Sequence, residues 1–325
     1  MSLRVGIVGC GNVAMNRHAP AFAKIEGVEI VAACDLVEEK ARALASRYGA
    51  RWYTNLDEML EREELDLVDV VTRETDRAEP LIKCLRAGKH VFCEKPLVGK
   101  KGQFCVDEGD LEEARRVIDE WVRAGTSFGI NFNYRTAPHA VKLKRLIDEG
   151  ELGEPVLINV FAHLACWSHV IDLMRWFNGE VEELTAYMSG PEHARDRSAT
   201  LRFGNGSIGT LVGTVRLGWH HPLLRIEVVG TRGRAVIEDL CGSFTFYPSD
   251  RREVISWSQP VESWRAEFAL TFERSIRNFV SALMEGREPP VTGWDALREI
   301  EIDAAIPISA RRGGPVRIEH YRPQG

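Results

Sequence analysis

Gly9-Cys10-Gly11-Asn12-Val13-Ala14 stands between an apolar run at 4–8 and a helical stretch reaching to about residue 24, and its reading decides the fold. Gly9 permits a tight turn, Gly11 lets the backbone approach a pyrophosphate, and the small Ala14 lets helix and strand pack closely. The start of the helix offers N–H groups and a partial positive charge to phosphates. A glycine pattern alone is weak, so the context has to support it. A second buried strand at 28–34 follows and ends at Asp35, about 20 positions on, where a carboxylate would bond the adenosine ribose hydroxyls. Leu36 and Val37 come next, with no arginine to relieve a 2′-phosphate. The expected cofactor is therefore NAD, with NADP the lesser alternative.

Outward from this loop, strand and helix signals alternate. Residues 28–34 are apolar and β-branched, as a strand buried on both faces requires. A helix at 38–48 ends at Gly49, and a third strand is expected at 65–72. A helix at 78–86 is closed by Gly88, a fourth strand follows at 90–93, and a helix at 111–124 stops at Gly125. Such alternation predicts a parallel sheet wrapped by crossover helices.

The pattern then changes. A helix at 140–149, a strand at 156–161 and a helix at 168–178 with Ser168 as N-cap lead into successive hairpins. Strands at 199–203 and 207–215 flank Gly204-Asn205-Gly206, and strands at 225–229 and 235–238 flank Gly230-Thr231-Arg232-Gly233. Amphipathic helices at 263–284 and 295–311 close the chain. The expectation is an α/β Rossmann domain over 1–124, followed over 125–325 by an α+β domain with a large, mainly antiparallel open sheet. The last helices are free to pack back on the first domain.

Composition narrows the partners. A net charge of −6, with no long basic run, argues against nucleic acid or an anionic membrane surface. No signal-peptide pattern or membrane-spanning apolar stretch is visible, so a cytoplasmic location is the default expectation. The seven cysteines are scattered and form no Cys-x-x-Cys pair, so small buried thiols are expected rather than disulfides or a zinc ribbon. His220-His221 does not make a metal site, because adjacent strand residues point apart and no third ligand stands at useful spacing. No metal is expected.

Ala87-Gly88-Lys89-His90-Val91-Phe92-Cys93-Glu94-Lys95-Pro96, in a chain opening with Gly-x-Gly-x-x-Ala, resembles the signature of the Gfo/Idh/MocA oxidoreductases. Residues 131–135 are similar to the start of that family's second domain, His169-x-x-Asp172 to its His-x-x-Asp helix, and the segment from Val291 to Val316 to its last helix and strand. The resemblance implies hydride transfer between the nicotinamide and a carbon of a sugar, polyol or sugar acid. It implies a homodimer or homotetramer built through the second-domain sheet. Lys95 and His169 match the family's catalytic pair, and Thr72 and Glu94 lie in segments that approach the cofactor. An ammonium at Lys95, beside an oxidised nicotinamide, would have its charged form disfavoured. Pro96 fixes the chain after Lys95, a cis peptide bond being one way to aim it inward. Tyr134, Arg135 and Trp167 are expected as pocket walls or donors, and Asp172 as an orienting or structural group one turn after His169.

Three departures shift attention to the chemistry. The aspartate that many members place four residues before the histidine is Ala165 here, and His163 either compensates or is packed. The family's Thr-Pro-x-x-x-His loop reads Thr72-Arg73-Glu74-Thr75-Asp76-Arg77, so Arg73 and Arg77 either bring positive charge to the ligands or pair with Glu74 and Asp76. The segment 98–110, with glycines at 99, 102 and 109, is longer than the family's connection and reads as a flap over the site or as a surface insertion. Two further readings stay open: a non-catalytic relative that binds NAD as a ligand, and a glycosidase that uses the cofactor transiently.

Overall fold

In the computed structural model the described residues are 2–192, 195–218, 222–258 and 264–323. The histidines at 220 and 221 and the expected first residue of the helix at 263 lie outside them. The first sheet is parallel and contains β1 (Leu3–Val8), β2 (Val28–Cys34), β3 (Arg51–Tyr53), β4 (Leu67–Val70), β5 (His90–Cys93) and β6 (Phe128–Ile130). Their order is β3-β2-β1-β4-β5-β6. The order reverses direction between β1 and β4, and a crevice opens there at the carboxyl ends of the strands. The loops after β1, β4 and β5 bring Gly9, Thr72 and Lys95 to that crevice. Three-residue β3 and β6 are too short to leave a periodic signal, and the sequence reading missed both.

A helical segment follows Ala14, π-wound over Ala14–His18 and α-wound over α1 (Ala19–Ala23). It is followed by α2 (Glu38–Tyr48), α3 (Leu56–Arg62), α4 (Ala78–Arg86) and α5 (Glu108–Ala124). The last of these starts before residue 111 because Asp107 and Asp110 form a reciprocal capping box around its first turn.

The second domain contributes α6 (Pro138–Asp148), β7 (Pro155–His163) and α7 (Trp167–Asn178), then β8 (Val181–Ser189), β9 (Asp196–Phe203) and β10 (Ile208–Thr214). The chain continues through β11 (Leu224–Gly230), β12 (Gly233–Glu238), β13 (Ser243–Pro248), β14 (Ile255–Ser258), α8 (Trp264–Met284), α9 (Gly293–Arg312) and β15 (Val316–Arg317). The sheet order is β14-β13-β12-β11-β7-β10-β9-β8-β15. Both expected hairpins are present, β9–β10 and β11–β12. Pairing is antiparallel except between β7 and β10, which run parallel. The inner face packs on α6, on α7 and on Ile302, Ala305 and Ile306 of α9.

Ser168 is not the N-cap of α7. A short 3₁₀ turn, Leu164–Cys166, feeds straight into the helix, so Cys166 occupies the cap position and Ser168 lies inside. The two terminal helices join the domains. Leu297, Ile300 and Ala304 of α9 pack in the core of the first sheet, and Ile276, Phe279 and Val280 of α8 pack beneath β1 with Val5 and Phe22. Each such side chain stabilises by about 1.5–3 kcal/mol on full burial. Among the described residues no helix is long and apolar enough to cross a membrane.

Candidate active site

The glycine loop has the geometry its composition requires. Gly9 takes φ 87°, and a Cβ there would stand 2.7 Å from the Thr72 nitrogen. Only glycine tolerates both conditions. A Cβ on Gly11 would meet nothing within 4 Å, so open space lies over that backbone. Asp35 reaches back to the loop: its Oδ2 accepts from the Cys10 N–H at 2.8 Å and its Oδ1 from the Val37 N–H at 2.8 Å. The Asn12 side chain accepts from Asn16 at 2.7 Å, Val13 is partly exposed, and Ala14 is fully buried against the core. Across the crevice, the Thr72 Oγ1 is buried with no partner among the described residues. Open space over Gly11, the orphaned hydroxyl and the carboxylate at the end of β2 fit a dinucleotide. Gly9, Gly11, Asn12, Val13, Ala14, Asp35 and Thr72 would hold it.

Lys95 sits on a turn closed by a cis Lys95–Pro96 peptide. Its ammonium donates to Gln103 Oε1 at 3.3 Å. The turn is held from beneath by Glu94, whose carboxylate accepts from His18 Nε2 at 2.9 Å, Asn131 Nδ2 at 2.7 Å and the Lys95 N–H at 3.1 Å. The other ring nitrogen of His18 meets Asp69 at 3.0 Å. Burial opposes charge on His18, but Asp69 and Glu94 outweigh it and raise its pKa to about 10. Burial likewise opposes charge on Glu94, yet His18, Lys95 and Asn131 bring its pKa down to about 2. A buried imidazolium therefore lies between two carboxylates, joining the helix after the glycine loop to the Lys95 turn.

Arg77 does neither thing expected of it. Its guanidinium is buried and donates to three backbone carbonyls, Glu94 at 2.7 Å, Thr72 at 2.5 Å and Pro96. Glu74 instead accepts from the Gln103 N–H at 2.9 Å, and Asp76 from the Thr75 hydroxyl at 2.8 Å. Arg77 reaches the carbonyls because α4 starts one residue later and points it under the turn; Arg73 is exposed.

His169 is buried on α7, stacked on the Tyr134 ring with centroids 3.9 Å apart and planes 9° apart. Its Nδ1 has no partner among the described residues. Burial, reinforced by the positive charge of Lys95, holds its pKa well below the usual histidine range, so the ring is neutral. Arg135, Asp172 and Trp167 each have buried polar partners in the protein. Arg135 forms a bidentate pair with Asp172 at 2.5 and 2.8 Å and also meets Asp295 at 2.8 Å, so these groups satisfy one another. Trp167 is buried, donates from Nε1 to Asp303 at 2.9 Å, and packs so closely on Gly213 that a Cβ there would clash at 2.3 Å. Tyr134 is likewise buried behind His169, its hydroxyl 3.3 Å from Cys166 Sγ. His163 does not replace the missing aspartate; its Nδ1 accepts from the Ala165 N–H at 3.0 Å and caps the turn before α7.

The sequence reading missed His18, Asp69, Asn131 and Gln103. Asp69 left a signal, an acid in the middle of a strand that is otherwise apolar and buried on both faces, which requires a buried cation opposite it. Among the described residues no group of three or more His, Cys, Asp or Glu side chains is arranged to hold a metal ion.

Comparison with known proteins extends the geometry. Residues 3–132 match the family model described as the oxidoreductase family, NAD-binding Rossmann fold, and residues 163–318 match its C-terminal alpha/beta domain. The inositol 2-dehydrogenase of Rubrobacter xylanophilus is 26% identical, over 99% of this chain and 94% of that protein. The myo-inositol 2-dehydrogenase of Thermotoga maritima is 24% identical, over 98% and 99%. Levoglucosan dehydrogenase, solved with NADH and levoglucosan, superposes with a TM-score of 0.86 at 21% identity, over 98% of this chain and 100% of that one. The WlbA dehydrogenase from Bordetella pertussis, solved with NADH and UDP-GlcNAcA, superposes at 0.81 and 22% identity, with 98% of each chain covered. With both domains matched in order, and with the glycine loop and the Glu94-Lys95-Pro96 turn meeting at one crevice, the chain belongs to the Gfo/Idh/MocA oxidoreductase family.

Proposed function

We propose that this protein is an NAD-dependent dehydrogenase acting on a hydroxyl-bearing carbon of a sugar, polyol or sugar acid. The observation that carries this reading is the placement of Lys95, on a turn fixed by Glu94 and Arg77 at the crevice where the dinucleotide loops converge. When bound, the nicotinamide supplies a hydride acceptor. The chain supplies the rest. Lys95 Nζ donates to the reacting oxygen, and the neutral ring of His169 takes up the hydroxyl proton as the C–H hydride leaves. His169 is the second group at that oxygen, available as a neutral ring. Tyr134 fixes the plane of that ring by stacking, and the Arg135–Asp172 pair braces α7 behind it. The names of the relatives, inositol and levoglucosan dehydrogenases, support a carbohydrate-like substrate.

The oxidised and reduced forms of NAD are the expected cofactor pair, NAD being preferred to NADP because the Asp35 carboxylate would face the 2′-phosphate with Leu36 and Val37 following it. We further assign a homodimer or homotetramer, formed through the outer face of the second sheet.

The test is a single preparation assayed two ways. Lys95→Ala lowers kcat/KM by about 10²–10⁴ for whichever polyol the wild type oxidises, while calorimetry shows NAD still bound. The same calorimetry gives tighter binding for NAD than for NADP. Full turnover by Lys95→Ala would remove the lysine from the mechanism, and tighter NADP binding would overturn the Asp35 argument.

A further inference from the structure

The segment between Lys95 and α5 is neither a detached flap nor a plain surface insertion; it is a strap tied down on both domains across Lys95. Leu97, Val98 and Val106 are buried at its two ends. On the first domain, the Gly99 N–H donates to the Glu74 carbonyl at 3.2 Å and the Gln103 N–H to Glu74 Oε1 at 2.9 Å, while the Lys100 N–H donates to Asp110 at 2.7 Å. On the second domain, buried Arg197 of β9 donates to the Phe104 carbonyl, and Cys105 Sγ lies 3.3 Å from the Glu192 carbonyl. Between these anchors the backbone turns on Gly102, at φ 91°, with a Gly102 N–H to Gly99 carbonyl bond of 2.8 Å. A side chain at 102 would strain that conformation.

The turn delivers one polar side chain to the site. Gln103 Oε1 accepts from Lys95 Nζ, and among the described residues its Nε2 donates to none. Two N–H groups thus stand beside the ammonium that binds the reacting oxygen. Their natural acceptor is an oxygen on the carbon next to the reacting one, because neighbouring hydroxyl oxygens on a ring are separated by about a hydrogen-bond length and two adjacent donors can grip them together.

We propose that Gln103 is a substrate-binding, specificity-determining residue that selects a vicinal diol, the Lys95 ammonium holding the hydroxyl to be oxidised and the Gln103 carboxamide its neighbour. The assignment rests on the dehydrogenase reading above. A site built to bond that second hydroxyl discriminates against its deoxy analogue, since the carboxamide is then left without an acceptor.

The experiment uses the full chain with NAD and a panel of cyclitols, hexoses and pentoses that includes myo-inositol, D-glucose and 2-deoxy-D-glucose. For the best diol, Gln103→Ala raises KM by about tenfold, and the preference for the diol over its deoxy analogue falls by a similar factor, with NAD affinity and thermal midpoint kept. Gly102→Val, which displaces the turn without touching the carboxamide, gives the same loss of discrimination. Wild-type KM and wild-type discrimination in both variants would overturn the Gln103 assignment and leave the dehydrogenase reading standing. NAD binding by the wild type without NADH formation on any member of the panel would overturn both.

Discussion

His18 and its two carboxylates show how one residue joins the helix after the glycine loop to the Lys95 turn. An uncharged ring between Asp69 and Glu94 would leave two buried anions without a counter-ion, which is far costlier than the charged ring. Because the pKa of His18 is raised in the folded protein, from 6.5 to about 10, its contribution to stability is complete below about pH 6.5 and is lost as pH rises through about 10. The wild type should therefore lose stability over that window with a slope of about 1.4 kcal/mol per pH unit. In His18→Gln that slope is absent, and stability at pH 7 is lower by roughly 3–5 kcal/mol. Thermal midpoints measured from pH 6 to 10 check this. An unchanged alkaline slope in the variant would mean that His18 does not hold the proton. Asp69 was readable as an anomaly in a buried strand, but its partner was not, since 51 residues separate the two.

At the level of elements, the loops after β4 and β5 behave as one piece because Arg77 ties them. Its bonds to the Thr72, Glu94 and Pro96 carbonyls brace the turn on both sides of Lys95, and Thr72 in turn packs against Gly9. Arg77→Met leaves these carbonyls without their charged donor. The expected result is a loss of about 3 kcal/mol in stability and a fall of roughly tenfold in kcat that exceeds any change in NAD affinity, with Arg77→Lys restoring part of it. Urea unfolding, calorimetry and steady-state rates measure the three quantities. Wild-type kcat in Arg77→Met would show that the Lys95 turn needs no such brace. The element boundaries were mostly legible, β2, α2, α4 and β5 falling where their periodicity and glycine stops put them. The exceptions have local causes. The capping box extends α5 toward its N-terminus, the 3₁₀ turn removes the cap role from Ser168, and β3 and β6 exist only because a sheet edge was available to them.

For the molecule as a whole, the second sheet matters through the face it leaves uncovered. Its inner face is filled by α6, α7 and α9, while its outer face exposes Phe161, Ile208 and Tyr187 across β7, β10 and β8. Apolar and aromatic residues grouped on a broad sheet face mark an association surface. Phe161→Asp puts a charge at the centre of that face, and sedimentation should then show a shift toward monomer, with NAD binding retained because the Rossmann crevice lies in the other domain. A wild type that sediments as a monomer at micromolar concentration would refute the assigned assembly.

The sequence by itself determined the parallel α/β core of the first domain, two hairpins of the second and the glycine loop, because these follow from periodicity and glycine geometry, which are local properties of the chain. Only the tertiary structure decided what the polar side chains around Lys95 do. Arg77, open between a ligand-facing cation and an ion-pair partner of Glu74 and Asp76, is a clamp on carbonyls, Arg135 and Asp172 are a closed pair, and the 98–110 segment is a strap. The reason is physical. A buried charge takes whichever partner the fold brings within about 3 Å, and that partner lies at a sequence distance that no local pattern encodes.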